Sequence, residues 1–128
     1  MQFAYTIVYV ADVAGSLAFY EAAFGLQRAF LHESGAYGEL ATGATKLAFV
    51  DHATARDSVG LDYVVAADSA APLGMEIGLA TADVPAAFAR AVRAGATPLA
   101  EPVTKPWGQT VAYVRCPDGS LVELCTPM

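Results

Sequence analysis

Positive charge is scarce in this chain. Seven Lys and Arg stand against thirteen Asp and Glu over 128 residues, a formal net charge of −6. Recognition of phosphate needs clustered cations, so neither nucleic acid nor an anionic membrane is expected as a partner, whereas a cationic ligand suits the balance. Cysteine is nearly absent: only Cys116 and Cys125 occur, and neither has a His near it in sequence. There is no Gly-x-Ser-x-Gly elbow and no phosphate-cradling glycine loop, which removes the familiar nucleophile and nucleotide motifs. Long apolar runs are missing too. Asp12 interrupts the opening stretch and no basic segment precedes it, so neither a signal peptide nor a membrane span is expected, and the cytoplasm is the expected location. What is abundant is apolar side chain, 55% of the residues. That is enough for one compact domain with a sizeable core, or for two small subdomains sharing one.

The most informative stretch is Val111 to Leu124, VAYVRCPDGSLVEL. Pro117 presets φ, Asp118 tolerates the bridge region and Gly119 accepts positive φ, so two apolar strands should meet at a three-residue turn with a glycine bulge. Counting outward from Cys116 opposite Ser120 places Tyr113 opposite Glu123 and Cys125 opposite Val111. Four to five rises of about 3.4 Å then separate the two sulfurs, too far for a disulfide. The same register sets a carboxylate beside a phenol among apolar neighbours. A buried charge is costly unless answered, so Glu123 either lies in a polar cavity or is paired; the alternative is an edge-strand Glu facing water.

Taken in order, Ala4–Val10 reads as a strand buried on both faces. Asp12 caps a helix whose Val13, Leu17, Tyr20 and Phe24 recur at helical spacing before Gly25 ends it. Strands are expected at Arg28–His32, Tyr37–Ala41 and Lys46–Val50. Residues 53–72 lose all periodicity and read as a linker, with Leu61–Ala66 open to a short edge strand or a subunit contact. A strand at Met75–Thr81 comes next, then a helix capped by Asp83 and closed by Gly95, then strands at Thr97–Ala100, Trp107–Arg115 and Leu121–Thr126. The order is the same twice: Asp83 stands 71 residues after Asp12, and Leu121 stands 74 after Leu47. An internal repeat of this kind implies an α+β fold of two βαβββ modules, residues 1–52 and 73–128, one domain overall, whose mixed sheets curl around a shared cleft. Whether that cleft closes within one chain or across a dimer is open at this level. In such an arrangement Glu76 and Glu123 face one cavity, where like charges raise one pKa and a cationic ligand lowers both. Glu39, repeat-mate of Tyr113, adds a third acid at the rim. Trp107 and Gln109 share strand parity with Val111 and Tyr113, offering a stacking surface and an amide. Tyr5, Ile7, Tyr9, Leu47 and Phe49 would line the opposite wall, although the same side chains are also what a plain core would hold.

Asp12 with Ser16 and Phe19-Tyr20 ahead of Phe24-Gly25-Leu26, Trp107-Gly108-Gln109, and Pro117-Asp118-Gly119 followed by Leu121, Glu123 and Leu124 resemble the vicinal oxygen chelate superfamily. That superfamily holds glyoxalase I, bleomycin-resistance proteins, fosfomycin-modifying enzymes and extradiol dioxygenases. The resemblance implies four equivalent metal-ligand points, which fall here on Tyr5, Phe49, Glu76 and Glu123. Only the two glutamates suit a metal, so no cofactor is expected; if a divalent ion binds at all, Glu76 and Glu123 hold it. The resemblance also implies a substrate-contacting role for Tyr113. The resulting reading is a homodimeric binding protein of the bleomycin-resistance type, sequestering an aromatic or cationic small molecule without metal. The alternative is a lyase or isomerase in which Glu76 or Glu123 serves as general base and Tyr113 steadies an enolate.

Overall fold

The opening β-branched run becomes β1, Tyr5–Val10, and the Asp12 side chain then turns the chain into a helix. Its carboxylate accepts the Gly15 amide at 3.0 Å, satisfying one of the free donors at the start of α1, Val13–Phe24. Gly25, at φ 68°, ends the helix. Strands β2 (Arg28–Leu31), β3 (Tyr37–Leu40) and β4 (Lys46–Asp51) complete a sheet ordered β1-β4-β3-β2, with β1 and β4 parallel and the other pairs antiparallel. Helix α1 buries Val13, Leu17, Tyr20 and Ala23 against one face of this sheet. It comes so close that a Cβ on Gly38 would lie 2.7 Å from Leu17. Fully burying a side chain such as Leu17 is worth about 1.5–3 kcal/mol, so this face holds the first core together. The computed structural model describes residues 1–128, which divide into two units, Met1–Val65 and Ala66–Met128.

Two expectations for the first unit are corrected. Strand β1 is not buried on both faces: Tyr5 and Ile7 are 50% and 43% exposed, because the helix covers only the side carrying Val8 and Val10. Residues 53–72 are not without regular structure. Asp51 accepts from the Thr54 amide at 2.8 Å and starts a helix, α2, over His52–Val59. Only Ala55 of that helix is buried, so it carries no apolar period by which it could be recognised. Leu61–Ala66 adds no strand. Instead the Tyr63 ring packs tilted against Tyr9 at 4.9 Å between ring centres and its hydroxyl meets His52 Nδ1 at 2.7 Å, fastening this segment to the first sheet.

The second unit repeats the plan. A short 3-10 turn at Ala66–Asp68 precedes β5 (Glu76–Ala80), α3 (Val84–Ala94), β6 (Thr97–Thr104), β7 (Thr110–Arg115) and β8 (Leu121–Cys125), and the sheet runs β5-β8-β7-β6. Asp83 caps α3 through the Ala86 amide at 3.0 Å. Val84, Ala91, Ala112, Val114, Val122 and Leu124 form the second core. The β7–β8 turn has the expected register: Cys116 N donates to Ser120 O at 2.9 Å, and Tyr113 pairs with Glu123 and Val111 with Cys125. Gly119, at φ 91°, has Ala66 backbone against it, so close that a Cβ would come within 2.2 Å. Arg115 holds the other side of this contact, donating from Nη2 to Ala66 O and Ser69 O, both at 2.9 Å. Neither cysteine is in a disulfide. The whole is an α+β structure of two four-stranded mixed sheets and three helices.

Candidate functional site

On the second sheet, α3 covers one face, and the other mixes acids with small and apolar side chains. Because alternate residues of a strand share a face, the open side carries Glu76, Gly78 and Ala80 from β5, Leu121, Glu123 and Cys125 from β8, and Val111, Tyr113 and Arg115 from β7. The pairing brings Gly78 opposite Glu123 and Glu123 opposite Tyr113. The Tyr113 hydroxyl donates to Glu123 Oε1 at 3.3 Å, and Glu76 lies close enough to Glu123 for the charge of one to act on the other. Of the residues singled out in the sequence, these three form one constellation.

The electrostatics result from crowding acids on an apolar sheet. Burial pushes the Glu76 carboxyl up, and the Glu123 charge pushes it further. Burial, then the charges of Glu123 and Glu76, also raise the Tyr113 phenol and the Cys125 thiol. Cys125 therefore belongs to the constellation as a neutral thiol. Its place two residues after Glu123 was the signal for it, since that spacing keeps it on the same face. No salt bridge from a Lys or Arg reaches the set: Arg28 pairs with Glu21, Lys46 with Glu39 and Arg56 with Asp62. The cation on this face, Arg115, gives its guanidinium to the carbonyls of Ala66 and Ser69 and to the Ser69 hydroxyl.

Trp107 and Gln109 lie outside any strand. Strand β7 begins at Thr110, and 105–109 is a hairpin loop closed by Lys105 N donating to Gln109 O at 2.8 Å; strand parity therefore does not orient Trp107. The loop is nevertheless ordered by side chains. The Trp107 indole donates to Gln109 Oε1 at 3.1 Å, and Gln109 Nε2 donates to Thr126 O at 2.8 Å. The Trp107 ring is 65% exposed.

The first unit holds a set of its own. Tyr5, Ile7 and Tyr9 share the face of β1 that α1 does not cover, and Glu39 joins them from β3. Glu39 is answered internally, accepting from Lys46 Nζ at 2.8 Å and from the Tyr37 hydroxyl at 2.9 Å. The Lys46 hydrogen bond holds its carboxyl below the ordinary value, while burial and the bond to Glu39 push the Tyr37 phenol up to about 12. Phe49 is not part of this face. It is 0% exposed and packs on Tyr20 of α1 at 4.9 Å between ring centres, and Leu47 lies buried on the same helix side. The register explains the difference: Glu39 pairs with Ala48, as Tyr113 pairs with Glu123. The true repeat-mate of Glu123 is therefore Ala48, because eight residues lie between Glu39 and Ala48 and nine between Tyr113 and Glu123.

This register bears on metal binding. The four points matching the superfamily's ligands are Tyr5, Ala48, Glu76 and Glu123, of which only two are carboxyls. No group of three or more His, Cys, Asp or Glu is disposed to hold an ion, so the residues present do not fit a transition-metal centre, which wants three or four imidazole, thiolate or carboxylate donors. A separate hollow of about 540 Å³ at the end of α2 is lined by Arg56, Asp57, Gly60, Leu61 and Asp62, and its Arg56 is already paired with Asp62.

Comparison with known proteins agrees with this architecture. The family model described as Glyoxalase/Bleomycin resistance protein/Dioxygenase superfamily matches residues 2–124. A glyoxalase-related enzyme from Fulvimarina pelagi superposes with a TM-score of 0.85 at 22% identity, over 99% of this chain and 88% of that one. A glyoxalase/bleomycin resistance protein/dioxygenase family enzyme from Burkholderia phytofirmans PsJN gives 0.79 at 21% identity, over 100% of both chains. TioX from Micromonospora sp. ML1 gives 0.72 at 20%, again over 100% of both. At such identities the likeness is one of fold. No protein of curated function matches the sequence.

Proposed function

The chain belongs to the Glyoxalase/Bleomycin resistance protein/Dioxygenase superfamily, and from that premise we propose that it is a metal-independent binding protein for a small aromatic or cationic molecule. The observation that carries the reading is the pair Glu76–Glu123. Two carboxyl groups lie side by side on one sheet face, Tyr113 donates to one of them, and no Lys or Arg answers either. Such a pair is unfavourable for the fold alone, because desolvation and mutual repulsion both oppose its ionisation. A bound cation removes that penalty. The exposed Trp107 ring and the Tyr113 phenol supply surfaces on which an aromatic or cationic group can stack.

A thermal-shift screen with aromatic amines tests this directly. A ligand present at one hundred times its dissociation constant raises stability by about 2.7 kcal/mol, whereas a panel of amines that leaves the midpoint unmoved counts against the reading. Metal analysis of protein purified without chelator is the companion measurement; stoichiometric Ni, Zn, Mn or Fe contradicts it.

One observation favours a second reading. The raised Glu76 carboxyl beside a neutral phenol is the equipment of a general base next to a hydrogen-bond donor, suited to abstracting a proton from a carbon acid. Turnover of a carbonyl substrate by metal-free protein, lost in Glu76→Gln, supports that lyase or isomerase activity over sequestration. We further read the chain as a homodimer, since Phe3, Tyr5 and Ile7 place exposed apolar surface on one unit. Light scattering coupled to size exclusion decides it. No helix is long and apolar enough to cross a membrane.

A further inference from the structure

Arg115 is a cation that passes over a carboxylate in its reach. It stands opposite Leu121 on the open face, and Glu123 follows Leu121 by two residues on that same face, opposite Tyr113. Diagonal neighbours across an antiparallel pair are about 7–8 Å apart, a span that a long side chain covers. A carboxylate is also the better acceptor for a guanidinium, because it takes two parallel hydrogen bonds between opposite charges. Arg115 nevertheless turns to the chain's own backbone. Its Nη2 donates to Ala66 O and Ser69 O, both at 2.9 Å, and to the Ser69 hydroxyl at 3.1 Å.

The turn that holds it is lightly built. Its three residues of 3-10 helix, Ala66–Asp68, include none that is buried. Its own ties are polar: Ser69 N donates to Ala66 O at 3.3 Å, and the Ser69 hydroxyl lies 2.8 Å from Ala66 O and 2.7 Å from Ala71 O. Few buried apolar contacts put a segment at the low end of local stability. Its seat is shaped for it all the same. At Gly119, φ 91°, a Cβ would come within 2.2 Å of the Ala66 backbone, whereas Gly43, φ 89°, in the corresponding turn of the first unit, has nothing within 4 Å. The first unit also displays the other disposition of charge. Lys46 occupies the strand position equivalent to Leu121, in the row that Arg115 shares, and its ammonium meets Glu39 at 2.8 Å. One copy of the plan thus closes its cation onto an acid, and the other has its cation held by the turn.

We propose that the 66–69 turn is a latch on Arg115. Docked, it holds the guanidinium and leaves the charge of Glu123 unanswered; lifted, it frees the guanidinium to cross the β7–β8 diagonal and form a salt bridge with Glu123. One surface turn thereby sets two charge states of the open face. The raised Glu76 carboxyl fits the docked state, since the Glu123 charge is among its causes. The device concerns the protein's own charges and stands whether or not the face takes a ligand; in the binding reading above, the docked state is the one that accepts a cation.

The test is a double-mutant cycle in the full chain, Arg115→Gln with Glu123→Gln, by urea denaturation at pH 8, run in the wild type and again in Ser69→Pro. Proline at 69 removes the turn's hydroxyl and amide donor and disfavours helical backbone at Asp68, and it alters no core residue. The coupling of Arg115 to Glu123 is expected to be small in the wild type and to rise by roughly fivefold or more in the folding equilibrium constant once the turn is broken. NMR contacts of the guanidinium protons are a readout that a merely structural role does not move, and they are expected to pass from Ala66 and Ser69 to the Glu123 side chain. If Ser69→Pro does not fold, Gly119→Ala, which pushes the Ala66 backbone off its seat, takes its place with the same expectation. Equal coupling in the two backgrounds overturns the proposal, as does a wild type whose guanidinium already contacts Glu123. It falls too if the released guanidinium goes to solvent, or if neither variant folds, since the turn is then part of the fold rather than a latch on it.

Discussion

Replacing Glu76 with Gln should stabilise the protein at pH 8, a direction opposite to that of most substitutions. Glu76 is solvent-exposed and feels the charge of Glu123. Two unit charges about 4 Å apart repel by about 1 kcal/mol in water and about 4 kcal/mol at an effective dielectric of 20. Exposure places this pair near the lower figure, so removing one charge should gain about 1 kcal/mol. With an unfolding entropy near 2.1 cal/mol/K per residue over a chain of this length, that gain raises the midpoint by about 4 °C. The sign with pH comes from the raised carboxyl. A raised acid favours folding below its unfolded value, ordinarily 4.5, and that contribution is lost as pH rises through the folded value. The Gln advantage should therefore be absent at pH 4, grow as pH climbs from the ordinary value through the raised one, and then hold constant. The groups facing Glu76 are Glu123, Tyr113 and Cys125; the phenol and thiol stay neutral across this range. Urea denaturation at pH 4 and pH 8, repeated at 1 M salt where the difference should shrink, checks it. A Gln variant less stable than wild type by 1 kcal/mol at pH 8 would refute the reasoning, because it would mean that an unseen cation answers the pair.

Phe49→Ala should cost about 3–5 kcal/mol by urea denaturation, since the ring is fully buried on Tyr20; a cost under 1 kcal/mol would put Phe49 on a ligand wall after all. Gly119→Ala should destabilise both through its positive φ and through collision with Ala66 backbone, and an unchanged midpoint would contradict the close packing of that turn. Dialysis against a chelator should leave the thermal midpoint unmoved, and a drop of several degrees would reveal a structural ion. Fluorescence from Trp107, the one tryptophan, should show the red-shifted emission of an exposed indole; blue-shifted emission would mean that the ring is covered in solution.

The elements whose limits were readable are those fixed by local chemistry. Asp12 and Asp83 start helices because a carboxylate satisfies free amides, Gly25 and Gly95 end them, and the Pro117-Asp118-Gly119 turn fixes its own register by residue count. Counting outward from that turn brought Tyr113 and Glu123 together. Counting across the repeat failed at Phe49, because one residue fewer lies between Glu39 and Ala48 than between Tyr113 and Glu123, which exchanges the two faces of the strand. Helix α2 escaped notice because a helix that buries only Ala55 has no apolar stripe to read. Trp107 looked strand-like by composition, but its loop is set by a hydrogen bond between Lys105 and Gln109 that no local pattern announces.

Gly78 and Ala80 sit on an edge strand whose other face does the packing, with Ile77 and Leu79 partly buried beneath. Exchanging them alters the surface offered to visiting molecules while the hydrophobic interior stays as it was. New preferences can therefore arise there by single steps, each tolerated by the scaffold, and a duplicated architecture that keeps one copy sturdy leaves the other free to diversify.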